Sequence, residues 1–232
     1  LMLRPEHVSA YSLIVEEGTP FYDRYHADAA RQQAGLATVL LPTEEEAYEM
    51  TKATERMLAR AGYEHYEISN FAKPGYACRH NIGYWRRAEY LGLGLGAASL
   101  LGDYRCANGR DLAAYIRHWR QFDFLTPCQE NSGEYCPSNL HATVEKLTLK
   151  EQMEEFMFLG LRMTDGVSAR RFYEEFGESL ENIYAAAIDK LVKEGLLVRV
   201  EKGADGREDT WFRLTDFGID VSNYALSEFL FD

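Results

Sequence analysis

The chain has 232 residues, 46% of them hydrophobic and 27% charged, and 25 Lys and Arg against 37 Asp and Glu give a formal charge of −12. These are the proportions of a globular protein with one large or two ordinary domains. Its acidity argues against non-specific binding to nucleic acid or anionic membranes. No apolar run reaches the roughly 18 residues of a membrane span and no signal peptide opens the chain, so a cytoplasmic location is expected, with membrane association only through a partner.

Residues 7–15 (HVSAYSLIV) read as a near-continuous apolar strand of the kind buried on both faces of a parallel sheet, and an N-terminal portion is expected to be missing. Residues 21–35 are weakly helical. Thr43 and Glu46 form a capping box that opens a helix closed by Gly62, with Ala47, Met50, Ala53, Thr54, Met57, Leu58 and Ala61 as its buried stripe. A strand over 63–71 follows at once, and then a glycine ladder, Gly92, Gly94 and Gly96 alternating with Leu91, Leu93 and Leu95. Strand, helix, strand and ladder strand are the grammar of a (β/α) barrel, with ligands at the C-terminal ends of its strands. On an extended ladder one face carries no side chains, so a ligand, a bend or a neighbouring backbone is expected against it.

Between strand and ladder lies the densest reactive set: Arg79, His80, Asn81, Tyr84, Trp85, Arg86 and Arg87. Imidazole is an axial ligand of haem iron, aromatic rings pack on macrocycles, and guanidinium groups grip carboxylates. A hydrogen-bonded structural histidine is the competing reading of His80. From Lys73 to Arg120 the charge reverses, eight cations facing only Glu89, Asp103 and Asp111, which suggests a local anionic ligand. Cys78, Cys106, Cys128 and Cys136 are spaced too irregularly for a zinc ribbon or ferredoxin-like motif and read as free thiols, Cys78 being the one to watch for reactivity.

Residues 111–120 form an amphipathic helix with Leu112, Tyr115, Ile116 and Trp119 inward, and 121–141, aperiodic with two prolines, suit a linker. Beyond it, Thr148 with Glu151, Ser168, Gly177 and Gly195 punctuate three helices, and 196–200 and 210–214 flank an Asp-Gly turn at Asp205 and Gly206. Three helices and a hairpin make a winged-helix pattern. Its third helix is too acidic and lacks arginine to read DNA, so a lid or docking module is the better reading.

The runs HVSAYSLIVEEGTPFY, GYEHYEISNFAKPGYACRHNIGYWRRAEYLGLGLGAAS and EEFMFLGLRMTDGVS resemble radical SAM proteins of the oxygen-independent coproporphyrinogen III oxidase family, most of all the HemW-type haem chaperones. The resemblance implies an α/β fold, the C-terminal portion of a partial (β/α) radical SAM barrel over 1–125, a linker over 126–146 and a winged-helix-like α+β accessory domain over 147–232. It makes HNxxYW (His80, Asn81, Tyr84, Trp85) the haem motif with His80 on the iron, and Arg79, Arg86 and Arg87 the partners of the propionates. It sets Ile14, Gly92, Gly94, Gly96, Ala97 and Ala98 on the S-adenosylmethionine side. The family's four-iron four-sulfur cluster needs a CxxxCxxC motif that these four cysteines do not provide, so the chain alone is expected to be inactive and to be the C-terminal part of a longer protein. Three functions stay open: a haem chaperone handing its cargo to an acceptor protein, an oxidase that decarboxylates the propionates of coproporphyrinogen III, and a non-catalytic interaction module. An open sheet edge would also expose the chain to dimerisation.

Overall fold

A computed structural model of the chain describes residues 2–121, 141–204 and 207–231. It divides into two compact units, residues 1–78 and 79–232.

In the first unit β1 (His7–Ser9) is followed by α1 (Pro20–Gln33) and α2 (Glu44–Arg60). Thr19 caps α1 by accepting the Tyr22 N–H, with proline at the first turn, where its missing N–H costs nothing. The capping box expected of Thr43 and Glu46 is formed in both directions. Between the helices the Asp28 carboxylate accepts the backbone N–H groups of Val39, Leu40 and Leu41 at 2.7–2.8 Å, pinning the loop to α1.

The single strand expected over 63–71 is instead a hairpin, β2 (Glu64–Glu67) and β3 (Asn70–Ala72). The buried Glu67 carboxylate accepts the Ser69 N–H at 3.0 Å and the Asn70 amide, which bends the chain back on itself. β3 lies between β1 and β2 and pairs with both in antiparallel sense, so the parallel arrangement expected from the βα grammar is not found in the described strands. The core of this unit is small: Leu58, Tyr63 and Phe71, with Val8 and Ala10 against them. The strand expected over 7–15 stops at Ser9: among the described residues β1 pairs only with β3, and Tyr11, Leu13 and Ile14 beyond it are exposed rather than buried on both faces. Of the stripe expected on α2 only Leu58 is buried, and Met50 and Met57 are exposed, since only its C-terminal part meets β2 and the hairpin core.

The second unit opens with α3 (Arg79–Trp85). β4 (Ala98–Leu101) and β5 (Tyr104–Asn108) form a hairpin whose turn has Gly102 at φ +58°, and after α4 (Leu112–Gln121) the strand β6 (His141–Lys146) adds to β5, again antiparallel. Leu112, Ile116 and Trp119, expected to face inward, are exposed on α4. The linker expected over 126–146 lies outside the described residues as far as 140, as do Cys128 and Cys136, and its last six residues are β6.

The remainder packs α5 (Leu149–Gly160), α6 (Ala169–Phe176), α7 (Leu180–Ile183) and α8 (Ala185–Lys193) with a sheet in the order β7 (Val167–Ser168), β9 (Arg207–Leu214), β8 (Leu197–Ala204). Two short helices, α9 (Asp216–Asp220) and α10 (Ser222–Ser227), complete it. β8 and β9 pair continuously from Leu197 with Leu214 to Ala204 with Arg207; the turn expected at Asp205 and Gly206 lies outside the described residues. Phe156, Phe172, Phe176, Tyr184 and Phe229 meet edge to face at its centre, a geometry that aligns ring edges with π faces. Among the described residues no helix is long and apolar enough to cross a membrane.

Candidate functional site

The reactive segment between the hairpin and the glycine ladder is helical. In α3 His80 and Tyr84 stand four residues apart on one ridge, with ring centroids 4.5 Å apart and nearly perpendicular planes. Tyr84 meets Tyr90 in the same edge-to-face manner at 4.6 Å. Tyr90 is fixed to β4 by two backbone hydrogen bonds with Leu100, of 2.9 and 3.0 Å, and burial pushes its phenol above the ordinary tyrosine range. His80 is exposed, and among the described residues neither of its ring nitrogens makes a hydrogen bond. Among the described residues the competing reading of a hydrogen-bonded structural histidine finds no partner for His80.

Asn81 and Trp85 occupy the adjacent ridge, about 100° round the helix. Trp85 lies under the Arg162 guanidinium, 4.5 Å from its ring centroid. This is an anchoring contact with the second half of the unit, on a different ridge from the one that carries His80. The C-terminal end of α3 is clamped further. Arg87, with φ +52°, directs Nε to Glu155 Oε2 at 3.1 Å and Nη1 to Glu175 Oε1 at 2.7 Å, while Arg105 Nη1 reaches Glu155 Oε1 at 2.8 Å. The Arg87 side chain is 4% exposed, so its charge is already used inside the protein. That removes it from the groups free to meet a propionate. Arg79 and Arg86 are exposed. Tyr90, Glu155, Arg162 and Glu175 were not singled out from sequence, although a glutamate amid the apolar face of Met153, Phe156 and Met157 is a signal that could have found Glu155.

The glycine ladder is a loop, not a strand. A Cβ on Gly92 would stand 2.1 Å from the Ala98 carbonyl oxygen, so what lies against the bare backbone there is the chain itself. Gly92 N–H donates to Ser99 Oγ at 2.9 Å, and Asn108 Nδ2 donates to the carbonyls of Gly92 and Gly94 at 3.3 and 2.8 Å. Gly94 and Gly96 have φ of +103° and +65°; a Cβ on Gly94 would meet nothing within 4 Å, and one on Gly96 would touch Arg110. Ala97 is half-buried, Ala98 exposed at the start of β4, and Ile14 exposed in the first unit.

The family description "HemN C-terminal domain" matches residues 147–205. Over all 232 residues the chain is 34% identical to the heme chaperone HemW of Lactococcus lactis, covering 52% of that protein, and over 197 residues it is 36% identical to the heme chaperone HemW of Bacillus subtilis, covering 46%. The chain is thus similar to HemW proteins over its whole length and to the HemN C-terminal domain over 147–205. It spans about half the length of the curated relatives it matches. The solved coproporphyrinogen III oxidase HemN of Escherichia coli, described as a radical SAM enzyme, shares the fold with a TM-score of 0.62 at 16% identity, over 98% of this chain and 48% of that one.

The iron-sulfur cluster expected from the resemblance needs converging cysteine thiolates. Cys78 is half-buried, Cys106 is buried on β5, and among the described residues no group of three or more His, Cys, Asp or Glu could hold a metal. The described donor set does not fit a cluster, which is held by thiolates converging on the metal.

Proposed function

We propose that this chain binds haem for transfer to an acceptor, with His80 as the iron ligand. The observation that carries the reading is the exposed imidazole of His80, without a hydrogen-bond partner among the described residues, held edge-on by Tyr84, which Tyr90 backs in turn. A coordinating nitrogen needs a free lone pair and an approach from solvent, and this side chain has both. Arg79 and Arg86 are the groups placed to meet propionates, as charge-assisted donors to carboxylates. The name of the Lactococcus and Bacillus relatives supports the same assignment, since each is called a heme chaperone. Trp85, read from sequence as a ring-flanking residue, serves here as the anchor that holds α3 under Arg162. If S-adenosylmethionine is bound, as the family resemblance implies, Ala98 and the open position beside Gly94 would meet it. We read the helices and hairpin of 147–231 as a winged-helix-like docking module.

The test is a haemin titration of the chain followed at the Soret band, with His80→Ala in parallel and far-UV circular dichroism as the folding control. A saturable shift in the parent that is lost in the folded variant is expected. Equal spectra and equal affinities in the two proteins would remove His80 as ligand.

A further inference from the structure

A cleft of about 280 Å³ opens in the second unit on the side of α3 that carries Trp85. His80 does not line it; five residues separate the two side chains, about 140° round the helix. The walls are aromatic, with Trp85, Trp211 and Phe156, and Arg86, Arg170 and Arg171 line it together with Asp209 and Glu174. Arg162 covers one face of Trp85 and Lys202 lies 4.0 Å from the Trp211 ring, yet both indoles still border the cleft.

The charged groups are fixed rather than loose. Asp209 accepts Ser168 Oγ at 2.6 Å and the Arg170 backbone N–H at 3.1 Å, and its Oδ2 lies 3.5 Å from the Arg170 guanidinium, so its charge is largely answered within the wall. Ser168 in turn accepts the Arg171 N–H as the cap of α6. Arg171 Nη2 donates to the Arg86 carbonyl at 2.7 Å, which draws the two arginines together at the rim. The Arg86 guanidinium makes no ion pair among the described residues. Three cations against two carboxylates line the cleft; Glu175, 3.9 Å from Arg171, answers part of the Arg171 charge, and the Arg86 guanidinium is the one left for a bidentate bond to a carboxylate.

We propose that this cleft binds a carboxylate carried on a single planar conjugated ring, the ring against the indoles and the acid against Arg86 and Arg171. The volume is just below the roughly 300–1,000 Å³ of sites for drug-sized ligands, so one ring and its acid side chain fit and a whole tetrapyrrole does not. Two sources share that chemistry: a propionate-bearing pyrrole at the edge of a bound tetrapyrrole, which rests on the haem reading above, and a free aromatic acid, which does not.

The test uses the whole chain and the quenching of its tryptophan fluorescence by 4-nitrobenzoate, with uncharged 4-nitrobenzamide as control. Saturable quenching by the acid and only linear quenching by the amide are expected. Arg86→Glu should weaken binding of the acid at least tenfold and Glu174→Gln should tighten it, both groups being exposed. Equal saturation by acid and amide, linear quenching by both, or unchanged affinity in folded Arg86→Glu would overturn the proposal. Should Arg86→Glu fail to fold by circular dichroism, Arg86→Gln and Glu174→Gln decide by the opposite signs of their effects. Prior saturation with haemin then separates the sources: displacement of the acid by haemin and not by its dimethyl ester assigns the cleft to the tetrapyrrole edge, and retention assigns it to a separate aromatic acid. A chain that shows no Soret shift but binds 4-nitrobenzoate would overturn the haem reading and leave the cleft standing.

Discussion

Gly92 and Gly94 look equivalent in the sequence and differ in the fold. At Gly92 an added methyl group meets the Ala98 backbone at 2.1 Å, and backbone yields less readily than a flexible side chain. Gly92→Ala is expected to cost toward the upper end of the about 1–3 kcal/mol usual for overpacking. Gly94 has open space but φ +103°, so Gly94→Ala carries only backbone strain of about 1–2 kcal/mol. Urea midpoints of the two variants check the ranking; a Gly94 variant as unstable as the Gly92 one would mean that the open face is filled. Asp28 is a second residue whose role no spacing reveals. Hydrogen bonds from the Leu41, Leu40 and Val39 backbone N–H groups hold its carboxyl below the ordinary range, with Leu41 the largest contributor. A folded pKa below the unfolded one stabilises above the unfolded value and loses that contribution as pH falls through the folded value. Asp28→Asn should therefore be less stable than the parent at neutral pH, and the gap should close in melts taken below the ordinary carboxylate range. A gap independent of pH would show that the side chain's shape, not its charge, holds the loop.

Among the elements, α3 is too short to be stable alone, at seven residues. Tertiary contacts hold it: Trp85 under Arg162, and the buried Arg87 between Glu155 and Glu175. Removing one partner from a buried pair leaves an unanswered charge and costs about 3–5 kcal/mol, more than the pair itself contributes. Because Arg87 keeps Glu175 at 2.7 Å, Glu155→Leu should be destabilised by less than that amount in urea, and Arg87→Met combined with Glu155→Leu should recover part of it. Additive losses in the double variant would show that Arg87 and Glu155 act independently. The capping boxes of α2 and α5 belong to the same scale and were legible in advance, because they are local: Thr43 with Glu46 and Thr148 with Glu151 close within four residues, through hydrogen bonds that need no distant partner. Thr148→Ala should cost about 1 kcal/mol, read from the thermal midpoint.

For the whole molecule the sign of the charge and its distribution matter separately. A chain of net charge −12 repels an anionic ligand at long range, whereas the basic stretch from Lys73 to Arg120 attracts it locally. The stretch is weaker in three dimensions than in sequence, because Arg87 and Arg105 are paired with Glu155 from outside it. What remains exposed includes Arg79 and Arg86, next to His80. Haemin affinity is accordingly expected to fall as salt is raised from about 50 to 500 mM, since screening shortens the reach of exposed charges to a few ångströms. An affinity that rises with salt would mean that the net charge, not the local stretch, governs approach.

The sequence by itself determined the likeness to HemW and HemN proteins, and it determined the capped helix starts at Thr43, Thr148 and Ser168 and the order of the C-terminal helices and hairpin strands. Tertiary structure decided what depends on partners distant in the chain. A strand's direction is set by whichever neighbour completes its hydrogen bonds, so the βα grammar suggested parallel pairing where β1, β3 and β2 pair antiparallel. Apolar periodicity marks a face without saying whether anything covers it, which is why Leu112, Ile116 and Trp119 are exposed on α4. The candidate site follows the same division. HNxxYW was readable as a set of chemical groups, but a string of six residues has no faces until it is coiled. Helical geometry put His80 with Tyr84 and Tyr90 on one side and Trp85 with Arg162 on another, and ion pairing across 68 residues of chain turned Arg87 inward to Glu155.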